Sequence, residues 1–143
     1  MTRILLIDDD DAIRDAVEFL LTVSGFVVST AANGREGLRR YEQHKPDLVI
    51  TDILMPEMEG VETTLLLRKL DPGVPILAIS GGWSGASSDR HLSPLDLVAK
   101  LGATEILAKP FGDEELLRTL RRCLAATSSR IEAALAADTA LVS

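Results

Sequence analysis

The segment ILLIDDDD, residues 4–11, places four apolar residues directly before four aspartates. A short, continuous aliphatic run of this kind is typical of a parallel strand that is covered on both faces. Four further runs share this character and alternate with helix-like segments: Phe26–Ser29, Leu48–Thr51, Pro75–Ile79 and Glu105–Ala108. Because crossover connections between parallel strands are right-handed, this β–α alternation predicts an α/β fold, a (βα)5 doubly wound five-stranded parallel sheet.

Local signals mark the helices between these runs. An apolar stripe with helical spacing predicts the first helix: Ile13, Ala16, Val17, Leu20. Asn33, followed three residues later by Glu36, predicts a capping-box start for the second helix. The third helix is expected after Gly60. The fourth predicted helix begins at Ser93-Pro94, a cap followed by a proline in the first turn, and the fifth follows Asp113.

Length and charge limit the possible functions. The 143 residues suggest one domain, over residues 1–125, followed by an Ala-rich tail, residues 126–143, with a weak helical pattern. The tail is too short for a DNA-binding output domain. A net charge of -7 argues against direct nucleic-acid binding, which needs clustered basic residues. We expect no membrane span and no signal peptide, and therefore a cytoplasmic protein.

Charged and hydroxyl residues follow the predicted strands. The first strand ends in Asp8 and Asp9, the third in Asp52, the fourth in Ser80 and the fifth in Lys109. Ligands of doubly wound sheets bind beyond the carboxyl ends of the strands. A flavodoxin-like strand order, 2-1-3-4-5, makes strands one and three neighbours, about 4.8 Å apart. We therefore expect the three aspartates to converge.

The chemistry of this set is consistent with phosphoryl transfer. Three close carboxylates repel one another, and Mg²⁺, which prefers oxygen ligands, would remove the conflict. A carboxylate beside Mg²⁺ can attack a phosphoryl group, while Lys109 and Ser80 supply a cation and a hydroxyl donor. Each residue alone would be an ordinary turn or surface residue, and their coincidence at four strand ends favours the functional interpretation. Asp10 and Asp11 are expected to cap and charge the first helix.

At this point the sequence resembles the receiver domain of two-component response regulators. Four stretches carry the resemblance: Ile4–Asp10 (ILLIDDD), Leu48–Gly60 (LVITDILMPEMEG), Ile76–Gly81 (ILAISG) and Gly102–Phe111 (GATEILAKPF). Each stretch alone is a weak signal, but their order and spacing are specific as a set. The resemblance implies a flavodoxin-like fold and a phosphorylated aspartate.

The resemblance also implies roles for the matching positions. Asp52 resembles the phosphoacceptor, with Asp9 binding Mg²⁺ directly and Asp8 mainly through water. The backbone carbonyl of Leu54 would complete the protein ligands of the metal. Ser80 and Lys109 resemble the hydroxyl and ammonium groups that contact the phosphoryl group, and the Lys109–Pro110 peptide is expected to be cis.

Three features depart from the usual receiver pattern. Ile106 stands where the family often has an aromatic residue that turns inward on activation. The Gly81–Ser93 loop is longer than usual and contains Trp83, which either takes over that aromatic role or only covers the loop. No output domain is expected after the receiver.

We therefore expect a stand-alone receiver that takes phosphate from a histidine kinase or phosphotransfer protein. It would catalyse only its own phosphorylation and dephosphorylation, and so would not be an enzyme in the usual sense. It would signal, as a monomer or weak dimer, through the face formed by helix four, strand five and helix five.

Two alternatives stay open at this point. The pattern Asp8-Asp9-Asp10 also occurs in haloacid-dehalogenase phosphatases, although Ala12 stands where those enzymes usually have Thr or Val, and a late acidic pair is missing. A constitutive interaction module with a vestigial pocket is the second alternative, and the intact set of site residues argues against it.

Overall fold

The structure, a computed structural model, describes residues 1–53, 59–80 and 102–126. The elements run in the order β1 (Arg3–Ile7), α1 (Asp11–Val23), β2 (Val27–Ala31), α2 (Gly34–His44), β3 (Leu48–Asp52), α3 (Glu59–Leu70), β4 (Ile76–Ser80) and β5 (Glu105–Ala108), followed by a helix over residues 113–126. All strand pairs are parallel, in the order β2-β1-β3-β4-β5, which confirms the predicted fold class and strand order. None of the helices in these ranges is long and apolar enough to cross a membrane.

Several sequence predictions concern residues outside the described ranges. They are the carbonyl of Leu54, the Gly81–Ser93 loop with Trp83, the fourth predicted helix, which begins at Ser93-Pro94, and the tail from residue 127 onward.

Side chains of each inner strand alternate between the two faces of the sheet. In β1, Ile4 and Leu6 belong to one core cluster, while Leu5 and Ile7 belong to the other. The first face is covered by α1 and the 113–126 helix, through Val17, Leu21, Leu116, Leu120 and Cys123. The second is covered by α2 and α3, through Tyr41 and Leu67. A fully buried Leu or Ile contributes about 1.5–3 kcal/mol, so these two layers are the main source of stability.

The starts of α1 and α2 follow the capping signals in the sequence, whereas α3 begins at Glu59, before the glycine after which it was expected. Asp10 is the N-cap of α1, and its carboxylate accepts from two backbone N–H groups of the first turn at 3.0 and 3.1 Å, while Asp11 is the acidic residue of that turn. In α2, the Asn33 side chain accepts from the N–H of Glu36 at 2.8 Å. The carboxylate of Glu36 accepts from the N–H of Ala32 at 3.2 Å. In a standard capping box this reciprocal bond comes from the N-cap N–H, so here the donor lies one residue earlier.

The second strand begins later than the pattern predicts. The apolar run indicated Phe26–Ser29, whereas β2 spans Val27–Ala31. The N–H of Phe26 donates to the carbonyl of Leu21 at 3.1 Å, so this residue still belongs to the turn that ends α1. At the other end, Ala31 pairs with the last residue of β1 and extends the strand.

A buried tyrosine ties α2 to the turn after α3. The hydroxyl of Tyr41 donates to Asp71 at 2.6 Å. Burial raises the pKa of Tyr41, and the hydrogen bond and charge of Asp71 raise it further, while Arg68 opposes the shift. The phenol therefore stays protonated in the folded chain where a free tyrosine would ionise.

We predict that Tyr41 titrates well above pH 10 in the folded protein. Because its folded pKa is raised, its contribution to stability is complete below the unfolded value of about 10 and is lost as the pH rises further. Tyr41 is the single tyrosine of the chain, so tyrosinate absorbance reports it alone. Half-ionisation near pH 10 in the folded protein, as in the urea-unfolded control, would contradict this packing.

Candidate functional site

Strand register brings two carboxylates together at the carboxyl edge of the sheet. Ile7 in β1 pairs with Thr51 in β3, so the next residues, Asp8 and Asp52, lie side by side. The backbone N–H of Asp8 also donates to the carbonyl of Ala31 at 3.1 Å, which continues the ladder past the end of β1. Asp8 is 1% exposed and Asp52 5% exposed, so both carboxylates are held away from bulk water.

Lys109 places an ammonium between these carboxylates. It follows β5, and its backbone N–H donates to the carbonyl of Ser80 at 2.8 Å. Its Nζ lies 3.0 Å from Asp52 Oδ2 and 3.8 Å from Asp8 Oδ2. Burial lowers the pKa of Lys109, but the hydrogen bond to Asp52 and the nearby negative charges outweigh burial and raise it above its usual value. The peptide to Pro110 is cis, as the resemblance implies.

The three predicted metal ligands that the structure describes form one cluster. Asp8, Asp9 and Asp52 each offer a carboxylate oxygen, and these oxygens lie within 4.8 Å of one another. Asp9 is exposed, whereas the other two are buried. If all three are ionised, the ammonium of Lys109 leaves these four side chains with an excess of two negative charges, which a divalent cation would balance.

A buried oxygen without a partner tests whether this set fits a cation. Asp8 Oδ1 accepts from the N–H of Asp10 at 2.9 Å, whereas the buried Asp8 Oδ2 has no hydrogen-bond partner among the described residues and makes only a long ion pair there, with Lys109 at 3.8 Å. An unsatisfied buried carboxylate oxygen is costly, and native structures rarely leave one. Carboxylate oxygens are the ligands that Mg²⁺ prefers, so the residues present fit the metal that the sequence predicts.

The pKa of Asp8 shows the same conflict. Burial raises it, and the charges of Asp52 and Asp9 raise it further. The N–H of Asp10 and the ammonium of Lys109 lower it, but they do not restore the usual value. The site therefore holds a carboxylate whose charge is only partly compensated by the protein.

The other predicted site residues lie at the same edge or outside the described part. Ser80 is the last residue of β4, the strand between the one that carries Asp52 and the one that leads to Lys109. Its side chain is half-buried. Leu54, the predicted carbonyl ligand, lies outside the described residues. The structure thus brings the three aspartates and Lys109 together and places Ser80 on the intervening strand.

Gly60 is a positional requirement that the sequence interpretation did not identify. A Cβ on Gly60 would lie 2.2 Å from the carbonyl oxygen of Asp52 and 2.6 Å from that of Ile53. The first turn of α3 therefore packs directly on the backbone that presents the phosphoacceptor candidate. The only signal in the sequence was a glycine at the end of the Leu48–Gly60 stretch, without any indication of what it approaches.

Ile106 lies where the family often has an aromatic residue. It pairs with Ala78 across β4 and β5, is half-buried, and packs against the cluster of Ile53 and Ala78. An aliphatic side chain fills this position next to the site.

Comparison with known proteins supports the resemblance. The family model of the response regulator receiver domain matches residues 4–121. Response regulator MprA of Mycolicibacterium vanbaalenii is 36% identical over 126 residues, which cover 88% of this chain and 52% of that protein. Transcriptional regulatory protein PrrA of Mycobacterium leprae is 37% identical over 132 residues, which cover 89% of this chain and 54% of that protein. The chain spans about half the length of these curated relatives.

Solved structures agree with the fold. Chemotaxis protein CheY4 of Vibrio cholerae superposes with a TM-score of 0.75 at 34% identity, covering 86% of this chain and 98% of that one. A CheY-like receiver domain protein of Methanospirillum hungatei has a TM-score of 0.80 at 31% identity, covering 91% and 98%. These matches favour a receiver over the haloacid-dehalogenase alternative.

We predict that Gly60→Ala destabilises the protein. Alanine favours a helix by up to about 1 kcal/mol, but the overlap with the Asp52 and Ile53 carbonyls is expected to cost about 1–3 kcal/mol or more. Gly73→Ala is the matched control, because a Cβ there meets only one side-chain atom, at 3.6 Å. Equal urea unfolding midpoints for the two variants would contradict the close approach.

We also predict that Asp8→Asn stabilises the metal-free protein, on the order of 1 kcal/mol, because it removes a partly uncompensated buried charge. The same change should abolish the stabilisation that Mg²⁺ gives the wild type. Because the folded pKa of Asp8 is raised, metal-free wild type should gain stability relative to Asp8→Asn as the pH falls through that pKa. Unfolding in EDTA and in Mg²⁺, with Glu42→Gln at an exposed position of α2 as control, measures both effects. A lower stability of Asp8→Asn in EDTA would contradict the prediction.

Proposed function

The chain belongs to the response regulator receiver domain family, and from that premise we propose that Asp52 accepts a phosphoryl group from a histidine kinase or a phosphotransfer protein. The observation that carries this proposal is the position of Asp52. Its buried carboxylate lies 3.0 Å from the Lys109 ammonium and beside the two other carboxylates of the cluster. The site thus combines a nucleophile, a fixed cation and a set of metal ligands.

The proposed step is a direct transfer. An oxygen of the Asp52 carboxylate forms a bond to phosphorus while the phosphorus–nitrogen bond of the donor histidine breaks, and its electron pair returns to the imidazole ring. Lys109 orients the carboxylate before the step and offsets the negative charge of the phosphoryl oxygens after it. Ser80, on the strand between Asp52 and Lys109, is proposed to donate its hydroxyl to a phosphoryl oxygen.

We propose Mg²⁺ as the cofactor. Asp9 and Asp52 would hold it directly, Asp8 mainly through water, and the carbonyl of Leu54 would complete the protein ligands. When bound, the metal supplies positive charge that lets the phosphoryl group approach three carboxylates. The buried Oδ2 of Asp8, which accepts no hydrogen bond from the described residues, supports this assignment from the protein side.

The proposed activity concerns the chain itself. The protein would catalyse its own phosphorylation and dephosphorylation and turn over no external substrate. It would pass the signal on by contacts with another protein, through a surface that includes β5 and the 113–126 helix.

The proposal also includes the cellular compartment and the oligomeric state. A histidine kinase draws its phosphate from ATP, so we place the receiver in the cytoplasm. We propose a monomer or weak dimer that does not bind nucleic acid directly, in keeping with the net charge of -7.

The proposal predicts that Asp52→Asn abolishes phosphorylation. Wild type incubated with acetyl phosphate and Mg²⁺ should gain an acid-stable, base-labile phosphoryl group, and EDTA should prevent it. Asp47→Asn is the control, because it changes an exposed aspartate just before the amino end of the same strand. Intact-mass measurement follows the labelling of the wild type and of the two variants. Labelling of Asp52→Asn as fast as that of wild type would refute the assignment of the acceptor.

A further inference from the structure

Arg14 contacts the cation site from α1. Its guanidinium Nη1 donates to the backbone carbonyl of Asp8 at 2.8 Å, and Nη2 forms an ion pair with Asp11. The side chain of Arg14 is only 16% exposed, against 83% for that of Asp11. The guanidinium is thus held against the peptide that joins Asp8 to Asp9.

The ion pair with Asp11 is an i,i+3 pair that supports α1 and balances charge, but it does not require the second contact of the guanidinium, with the Asp8 carbonyl. The N–H of Arg14 donates to the carbonyl of the N-cap Asp10 at 2.9 Å, so Arg14 lies one turn into α1. A positive charge near a helix N-terminus is unfavourable, by about 0.3–1 kcal/mol. A cation at this place would also repel a metal ion bound by the neighbouring aspartates. The contact of Arg14 with the Asp8 carbonyl is therefore the one that these effects leave unexplained.

The backbone and side chain of Asp8 are fixed at three points. The N–H of Asp8 donates to Ala31, its carbonyl accepts from Arg14, and its Oδ1 accepts from the N–H of Asp10. The remaining oxygen, Oδ2, is the buried one without a hydrogen bond among the described residues, and it lies 3.8 Å from the Lys109 ammonium. Of the three hydrogen bonds, the one from Arg14 is the one that a substitution can remove while Asp8 stays unchanged, because its partner atom belongs to a side chain.

We propose that Arg14 is a positioning residue for the cation site. By holding the Asp8 carbonyl, it fixes the peptide between Asp8 and Asp9, and with it the spacing of the two carboxylates. This inference rests on the Mg²⁺ site of the proposed function. Arg14 does not touch the metal or the phosphoryl group in this account.

The direction in which the Mg²⁺ affinity changes when Arg14 is replaced distinguishes a positioning role from an effect of charge alone. If Arg14 acted only through its charge, removing it would relieve repulsion and tighten Mg²⁺ binding. If Arg14 positions the ligands, removing it should weaken binding, and the loss of groups that orient metal ligands typically costs about 10–100-fold in affinity. The two accounts therefore predict opposite shifts for the same variant.

The experiment measures binding of Mg²⁺ alone to the full chain by titration calorimetry. We expect Arg14→Gln to bind Mg²⁺ roughly tenfold or more weakly than wild type. Arg14→Lys keeps the charge but lacks the planar fork that contacts Asp8 and Asp11 together, so it should also bind more weakly. Arg39→Gln is the matched control: it removes one exposed arginine from α2 and should leave the affinity unchanged.

Unfolding in EDTA checks that each variant is folded. If Arg14→Gln is not folded, Arg14→Lys is used for the binding measurement instead. Tighter or unchanged Mg²⁺ binding by the folded Arg14 variants would overturn the inference while leaving the proposed function in place. No Mg²⁺ binding by wild type would overturn both. At saturating Mg²⁺, labelling of Arg14→Gln by acetyl phosphate should return to near the wild-type rate, and a rate that stays low would also overturn a role confined to positioning.

Discussion

Negative charge is crowded at one edge of the parallel sheet, and the packing around that edge has to hold it in place. Because of the register of β1 and β3, Asp8 and Asp52 lie side by side, and both are almost fully buried. The ammonium of Lys109 forms ion pairs with both carboxylates, and Asp9 adds a third carboxylate. Repulsion between buried carboxylates costs stability, so the surrounding fold must be rigid enough to hold them together without a metal.

The two apolar layers provide that rigidity. Aliphatic side chains alternate across the inner strands and bury both faces of the sheet, so the strand ends keep their register. Local contacts then set the details: Asp10 caps α1 and holds one oxygen of Asp8, while Gly60 lets α3 pack on the backbone at Asp52. A stable core thus supports a site that is locally unfavourable, as is common where a protein must bind a ligand.

Much of this could be predicted from the sequence, because the relevant signals are local. Five apolar runs predicted the five strands, with bounds that differ from the observed ones by at most two residues, and polar residues directly after four of these runs indicated the site. The start of β2 was missed because the end of α1 competes for Phe26 through a backbone hydrogen bond. Three features depend on three-dimensional packing, which sequence spacing does not indicate. They are the buried Asp8 oxygen that lacks a hydrogen bond among the described residues, the contact of Arg14 with the Asp8 carbonyl, and the close approach of Gly60 to the backbone at Asp52.

Chemical trapping of the phosphorylated residue would show whether Asp52 is the phosphoryl acceptor of this site. Borohydride reduces an aspartyl phosphate to homoserine, which marks the modified position permanently. After incubation with acetyl phosphate and Mg²⁺, reduction and peptide mapping should find homoserine at residue 52. Homoserine at position 8 or 9, or its formation at residue 52 to the same extent in EDTA, would contradict the account.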